Sequence, residues 1–290
     1  MSTITPIAAG VRRLTAPNPG PMTATGTQTY ILGEGDIAVI DPGPASVAHS
    51  EAILELGRVS HILVTHAHLD HSGGVAALVR ATSAPVLAFG PATAGRSELM
   101  TKLANRGGLA GGEGIDHAFT PDRRLNHGDR ITGDGWDLTA LHTPGHLSSH
   151  MCFVLEGRNM ILSGDTVMGW STTLISPPDG SVGAFLNSMD LLAARPEQVY
   201  LPGHGEPVED GPARARQQAV HRRMREAQIL EAVGTGASAA ELTARIYSDV
   251  AAHLHPAAQR NVLAHLIDLA EKRVLLMPGG PLERAKFHRA

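Results

Sequence analysis

The chain contains a single cysteine, Cys152, and few aromatic residues, which make up 3% of its 290 residues. One thiol cannot form an internal disulfide. Cys152 lies inside the apolar run MCFVL at 151–155, so we expect a buried strand residue without redox function. No stretch approaches the roughly 18 consecutive apolar residues that span a bilayer, and no secretory signal is visible. We therefore expect no membrane partner and a cytoplasmic location.

Hydrophobic residues make up 42% of the chain and charged residues 18%, which is typical of a globular protein with a buried core. The length suits one large and one small domain. The charge is uneven: residues 1–210 carry 12 Lys and Arg against 21 Asp and Glu, whereas residues 211–290 carry 12 against 7. We therefore predict two units with different roles, one over residues 1–210 and a smaller one over residues 211–290.

Strands and helices alternate through the first unit, which favours a layered α/β architecture. Strands are predicted at 29–32, 37–40, 61–64, 85–89, 136–141, 150–155, 160–162 and 198–201, and helices at 45–57, 72–80 and 182–194. Residues 91–117 are less regular and are predicted to form a mobile surface loop that borders a site. The glycines of this loop are Gly107, Gly108, Gly111, Gly112 and Gly114.

The second unit has the layout of a winged helix. Helices are predicted at 213–233, 237–247 and 256–269, followed by a hairpin of 273–277 and 282–287. The first helix is rich in arginine, with Arg214, Arg216, Arg222, Arg223 and Arg225. These side chains form either a solvated helix face or a patch that faces phosphate, because the guanidinium group pairs with phosphate in a bidentate manner.

The strongest chemical signal is THAHLDH at 65–71, which places four metal-binding side chains within six positions: His66, His68, Asp70 and His71. They follow a predicted buried strand directly, and a loop at the end of a strand lets them converge. Neutral imidazole and carboxylate suit zinc, iron or manganese. A chance cluster is the alternative, since the chain has 16 histidines.

Three further predicted strands end in a turn that carries a ligand-type residue beside glycine or proline. These are LHTPGH at 141–146 with His146, ILSGD at 161–165 with Asp165, and YLPGH at 200–204 with His204. Glycine permits tight turns and a close approach of the backbone to a metal. Each turn alone is ordinary, but their recurrence after four strands predicts one metal site at one edge of a sheet sandwich and argues against chance.

This set of residues, with Asp41 upstream, resembles the metallo-β-lactamase superfamily of metal hydrolases over about residues 28–205. Within it, the chain is similar to the beta-lactamase-like protein 2 family. That likeness depends on GTQTY at 26–30, GDTVMGWST at 164–172 with PPDG at 177–180, PGHG at 202–205 and HRRMRE at 221–226. Gln28 stands where that family frequently has asparagine, which leaves the fine contacts with substrate open.

The resemblance implies an αββα sandwich of two mixed sheets with a C-terminal winged-helix-like domain, and two divalent metal ions, expected to be zinc. The implied ligands are His66, His68 and His146 for one ion, Asp70, His71 and His204 for the other, and Asp165 as a bridge between the two. Asp41 is expected to orient the ligand loop and not to bind metal.

The expected chemistry is hydrolysis by a metal-bridged hydroxide that attacks an ester-type or phosphodiester bond, with Asp70 accepting a proton. One candidate substrate is single-stranded RNA, whose cleavage is an activity known within the beta-lactamase-like protein 2 family. The basic C-terminal unit favours it, and the scarcity of aromatic rings for base stacking opposes it. The alternative is a small thioester, ester or lactone, as in glyoxalase-II-like relatives.

A non-enzymatic alternative is a nucleic-acid-binding regulator, because a winged helix docks in DNA grooves and a metal site can be purely structural. A structural zinc site normally has four ligands and no open position, so the full set of seven side chains favours catalysis.

We predict that Asp70→Ala or His66→Ala reduces kcat/KM by about 10³-fold or more, because each removes a metal ligand and Asp70 also serves as the proton acceptor. The measurement is the hydrolysis rate of metal-loaded protein, with circular dichroism to establish that each variant is folded. A folded variant with wild-type rates would show that the assignment is wrong.

Overall fold

The structure, a computed structural model, describes residues 3–109, 112 and 114–290. Seven strands form a first sheet in the order of the sequence, antiparallel from the first to the fourth and parallel from the fourth to the seventh. They are β1 (Thr3–Ala8), β2 (Val11–Thr15), β3 (Gln28–Leu32), β4 (Asp36–Ile40), β5 (Arg58–Leu63), β6 (Val86–Ala88) and β7 (Arg123–Arg124). The helices between them are α1 (Val47–Leu54), α2 (Leu69–Ser72), α3 (Val75–Thr82) and α4 (Glu98–Arg106).

Five strands form a second sheet: β8 (Arg130–Gly133), β9 (Trp136–His142), β10 (Met151–Leu155), β11 (Met160–Gly164) and β12 (Val199–Pro202). Their spatial order is β12-β11-β10-β9-β8, with β11 and β12 parallel and the other neighbours antiparallel. Helix α5 (Val182–Ala193) connects β11 to β12. The chain then forms α6 (Gly211–Val233), α7 (Ala239–Ile246), a 3-10 turn (Ala252–Leu254), α8 (His255–Glu271) and a hairpin of β13 (Leu275–Leu276) and β14 (His288–Arg289).

The two sheets pack face to face because alternate residues of each strand point to opposite sides. Tyr30 and Leu32 of β3 point inward and meet Leu138 and Phe153 of the second sheet, whereas Ile31 points outward. The outward face of the first sheet is covered by α1 and α3 through Ile53 and Leu78. The outward face of the second sheet is covered by α5 through Phe185 and Met189. The expected αββα sandwich is therefore confirmed.

Strands β1 and β2 do not appear among the strands predicted from the sequence. Pro6 interrupts the first, and Arg12 and Arg13 give the second a polar character. In the fold, Arg13 is buried because its guanidinium contacts Glu206, with Nη1 2.9 Å from Oε2. A contact between residues so far apart along the chain leaves no local signal.

The expectation of an irregular loop over 91–117 was wrong in part, because helix α4 lies within it. Ser97 caps this helix by accepting a hydrogen bond from the Met100 N–H at 3.1 Å. Met100 and Leu103 pack into the core of the C-terminal unit. The helix therefore depends on partners that the local sequence does not reveal. Gly111 lies outside the described residues.

The C-terminal unit has its own core, formed by α7, α8, the terminal hairpin and the last turns of α6. Three helices followed by a hairpin match the expected winged-helix layout. The first turns of α6 instead pack on the sandwich through Ala215 and Ala219, while Ile229 and Val233 belong to the C-terminal core. The boundary at residue 210 stays a prediction. Among the described residues, no helix combines the length and hydrophobicity that crossing a membrane requires.

Two arginines of α6, Arg214 and Arg222, donate hydrogen bonds to backbone carbonyls of the protein. Arg222 is only 2% exposed and donates to Asn261 Oδ1 at 2.9 Å and to the Thr173 carbonyl. Arg214 donates to the carbonyls of Met168 and Ser171, both at 2.8 Å. These two side chains form neither a solvated face nor a patch for phosphate. They hold the loop after β11 against the helix.

We expect Arg222→Ala to lower the free energy of unfolding by about 3 kcal/mol, because it removes buried hydrogen bonds from a charged donor. The neighbouring Arg223→Ala is the matched control. Arg223 is exposed and lies 3.4 Å from Asp190, so its loss should cost less than about 1 kcal/mol. Urea unfolding of both variants is the measurement, and equal losses would contradict the structural role of Arg222.

Candidate metal centre

The ligand-type residues lie together because the strands that precede them end at one edge of the sandwich. Strands β4 and β5 are parallel, and β9, β11 and β12 share one direction within the second sheet. Backbone hydrogen bonds join the two sheets at this edge: the Gln28 N–H donates to the Gly203 carbonyl at 2.7 Å, and the Met151 N–H donates to the Thr65 carbonyl at 2.8 Å. The turns that follow these strands therefore face one another.

One group of donor atoms comes from three histidines and Asp165, and one ligand atom of each lies within 4.8 Å of the others. His66 Nε2 and His146 Nε2 each lie 3.0 Å from His68 Nδ1. His66, His146 and Asp165 are buried and His68 is half-buried.

A second group consists of Asp70, His71 and His204. His204 Nε2 lies 3.3 Å from His71 Nε2 and 3.2 Å from Asp70 Oδ2. Asp165 lies between the groups, since its Oδ2 is 3.7 Å from His146 Nε2 and 3.4 Å from His204 Nε2. Its Oδ1 is buried and has no hydrogen-bond partner among the described residues. All seven predicted ligands are thus brought together.

The outer ring nitrogens of two of these histidines face carbonyl acceptors. His146 Nδ1 donates to the Leu174 carbonyl at 2.8 Å, and His204 Nδ1 faces the Gly26 carbonyl at 3.3 Å. Because a carbonyl only accepts, the neutral ring carries its proton on Nδ1 and directs the lone pair of Nε2 inward. A metal cation binds where the lone pairs of several imidazole rings point into one small space.

The electrostatics of the cluster also fit a cation. Burial lowers the pKa of His66 well below its usual value and that of His68 to about 3, so both rings are neutral. Burial also lowers the pKa of His71 and His204, but the carboxylates of Asp70 and Asp165 outweigh it and raise these values to about 9 and about 11. The carboxylates of the second group therefore favour a positive charge beside them, which these two imidazoles carry as protons and which a divalent cation would supply in their place.

Asp41 lies outside both groups of donor atoms. Its Oδ1 accepts from the Thr65 N–H at 2.7 Å, and its Oδ2 accepts from the Thr65 hydroxyl at 2.7 Å and contacts His71 Nδ1 at 2.9 Å. It therefore fixes the start of the ligand loop and the ring of His71. This geometry fits the orienting role expected for it.

His150 lies beside the site, although it is not among the residues predicted as ligands. Its ring is buried and stacks on His66, with centroids 5.0 Å apart. Its Nε2 accepts the backbone N–H of Asp165 at 3.1 Å, while its Nδ1 faces the hydroxyls of Thr143 at 3.1 Å and Thr166 at 3.0 Å. The ring thus positions two of the candidate ligands. The only local signal was its place at the end of the HTPGHLSSH segment.

A cavity of about 460 Å³ opens directly over the two groups. Its floor includes Asp70 and Asp165. Its walls come from the loop at 21–23, from Ile115 and Leu174, and from the start of α8. The cavity is therefore shared between the sandwich and the C-terminal unit.

We predict that His150→Phe lowers metal affinity by about 10- to 100-fold, because phenylalanine keeps a ring but cannot accept the Asp165 N–H. His150→Gln should lower it by less than about threefold, since the amide oxygen can replace Nε2. Affinity is measured by competition with a chromogenic chelator.

The control is His142→Phe. His142 stacks on Phe89 and contacts the Ser148 carbonyl at 2.9 Å, away from the donor groups. Its substitution should leave metal affinity within about twofold of wild type, because it touches no candidate ligand. Equal losses in His142→Phe and His150→Phe would show that the acceptor at position 150 has no specific role.

Comparison with known proteins matches the same regions. The family model of the metallo-beta-lactamase superfamily matches residues 22–204, and that of the beta-lactamase associated winged helix domain matches residues 238–274. The beta-lactamase-like protein 2 homolog of Drosophila melanogaster is 28% identical over 290 residues, covering 93% of this chain and 90% of that protein. An atrochrysone carboxyl ACP thioesterase of Passalora fulva is 30% identical over 253 residues, covering 82% and 68%.

A solved metallo-beta-lactamase family protein from Thermus thermophilus superposes with a TM-score of 0.78 at 25% identity, covering 98% of this chain and 99% of that one. The likeness extends through the C-terminal helices as well as the sandwich. With its His and Asp metal site at the end of the sandwich, the chain belongs to the metallo-β-lactamase superfamily of metal-dependent hydrolases.

Proposed function

We propose that the protein hydrolyses acyl thioesters with two divalent metal ions, most simply zinc. The cavity over the donor groups carries this proposal. Its walls are largely apolar, with Met22, Ile115, Leu147 and Leu174 among them, while its floor is polar. Such a site suits a substrate with an apolar acyl part and one reacting carbonyl. The likeness to a protein named as an ACP thioesterase supports the same class.

The donor set supports two ions. In this assignment, His66, His68 and His146 would hold one ion, Asp70, His71 and His204 would hold the other, and Asp165, which lies between the groups, would serve both. Nitrogen and carboxylate donors suit zinc, and a site that keeps an open position is catalytic. When bound, two such cations lower the pKa of a shared water and polarise the substrate carbonyl.

Asp70 is the candidate proton acceptor. Its side chain is 28% exposed, lines the cavity, and accepts a hydrogen bond at Oδ2 from the Thr27 hydroxyl at 3.1 Å. A carboxylate held in this way orients an attacking water and accepts its proton. The water oxygen bonds to the acyl carbon, the carbon–sulfur bond breaks, and the leaving thiolate takes up a proton.

Single-stranded RNA is less well supported as a substrate. Binders of single strands use a cationic groove with aromatic rings for stacking. Among the described residues that line the cavity, Arg260 is the only lysine or arginine, and none is phenylalanine, tyrosine or tryptophan. On α6, Arg214 and Arg222 already donate to backbone carbonyls of the protein.

The alternative of a nucleic-acid-binding regulator is also poorly supported. A winged helix reads DNA with an exposed helix in the groove. In α8 the residues from Val262 to Leu269 are buried, and its first turn faces the catalytic cavity. This helix therefore lacks a free face of the required length.

The test combines metal analysis with a substrate panel of acyl thioester, lactone, phosphodiester dye and single-stranded RNA. We expect about two equivalents of bound metal and a kcat/KM of about 10⁴ M⁻¹s⁻¹ or more on a thioester. Chelation should remove this activity and zinc should restore it. Cleavage of RNA with no thioester hydrolysis would overturn the proposal and support the nuclease.

A further inference from the structure

We infer that the C-terminal unit selects the substrate: the start of α8 and the turn before it form the wall of a subsite for an apolar acyl group larger than acetyl. This inference rests on the proposed thioesterase function and adds the acyl group that the site accepts. The acyl-wall segment is defined as the residues of this region that line the cavity, which are His253, Leu254, Pro256 and Ala257, together with Arg260 one turn further along α8.

The first argument is the exposure of large apolar side chains at this cavity. Leu254 is 36% exposed and Met22 is 52% exposed, and both line it, together with Pro256 and Ala257. Apolar side chains that face water in a concave site gain from contact with an apolar ligand. The acyl-wall segment and the loop at 21–23 therefore both present apolar surface to the acyl group.

The second argument is that the wall is fixed relative to the metal-binding groups. Asn261, in the second turn of α8, accepts from the Ile175 N–H at 3.0 Å and from Arg222 Nη1 at 2.9 Å. Ile175 follows Leu174, whose carbonyl accepts from His146 Nδ1. A wall built on a helix and bonded to the ligand loop holds a substrate at a defined distance from the reacting centre.

The third argument is size. A volume of about 460 Å³ lies in the range of pockets that enclose drug-sized ligands, about 300–1,000 Å³. An acetyl group would leave most of this space filled with water and would touch little of the wall. Two residues of the acyl-wall segment, His253 and Arg260, are polar, and its other three residues are apolar. The cavity therefore favours an acyl chain of medium length over acetyl.

The experiment compares acetyl, hexanoyl and decanoyl thioesters of coenzyme A with the metal-loaded full chain. We expect wild-type kcat/KM for decanoyl to exceed that for acetyl by at least about tenfold, an effect of the size that a few buried methylenes produce. Ala257→Trp, which fills the subsite, should lower this decanoyl-to-acetyl ratio by about tenfold or more, mainly through KM.

The matched control is Ala240→Trp, on the exposed side of α7 in the same unit and outside the cavity, which should leave the ratio unchanged. Leu254→Ser is a second variant in the acyl-wall segment, at a side chain that is 36% exposed in the turn before α8, and it should lower the ratio by about threefold. It keeps the test decisive if Ala257→Trp does not fold.

The outcomes separate the two proposals. If wild type hydrolyses thioesters but the ratio is the same in Leu254→Ser, in folded Ala257→Trp and in the control, the acyl-wall inference is wrong and the thioesterase proposal stands. If wild type hydrolyses no thioester in its metal-loaded form, the thioesterase proposal fails, and the acyl-wall inference fails with it. A ratio that falls in the cavity variants alone supports both.

Discussion

The structure depends on placing two buried carboxylates, Asp41 and Asp165, and the half-buried Asp70 among several imidazoles at one edge of a sandwich. A buried carboxylate is costly unless a positive charge compensates it. In the protein alone, His71 and His204 supply that compensation, which is why their pKa values rise to about 9 and about 11. A divalent cation supplies it more strongly and removes the need for these protons. The surrounding side chains hold these carboxylates and imidazoles in place.

Close packing around the charged groups also explains why glycine precedes Asp165 and His204. A Cβ at Gly203 would lie 2.4 Å from Asp165 Oδ1 and 2.6 Å from His71 Cε1. At Gly164, which has a φ of +48°, a Cβ would lie 2.6 Å from His150 Nε2. A side chain at either position would push apart the residues that position Asp165. These glycines are therefore required by the approach of the backbone to the site, and not only by the turns.

The sequence could predict that the candidate ligands lie together, because each follows the end of a strand and these strand ends meet at one edge of the sandwich. The THAHLDH motif, His146, Asp165 and His204 needed no knowledge of tertiary contacts. Helix α4 and the role of Arg222 could not be predicted in this way. Met100 packs against helices more than a hundred residues further along the chain, and Arg222 bonds to Thr173 and Asn261. A helix or side-chain role that depends on contacts with distant residues leaves no periodic pattern in the local sequence.

These distant contacts change how the charge of the C-terminal unit is interpreted. The excess of basic residues over 211–290 suggested a surface for phosphate, but Arg222 is buried and directs its donors at Thr173 and Asn261. Thr173 in turn donates from Oγ1 to the carbonyl of Asp165 at 2.9 Å. A continuous path of hydrogen bonds therefore runs from α6 and α8 to the residue between the two donor groups. Because α8 bonds to the loop after β11 through Asn261 and also lines the cavity, loss of the C-terminal unit would alter the candidate metal centre itself.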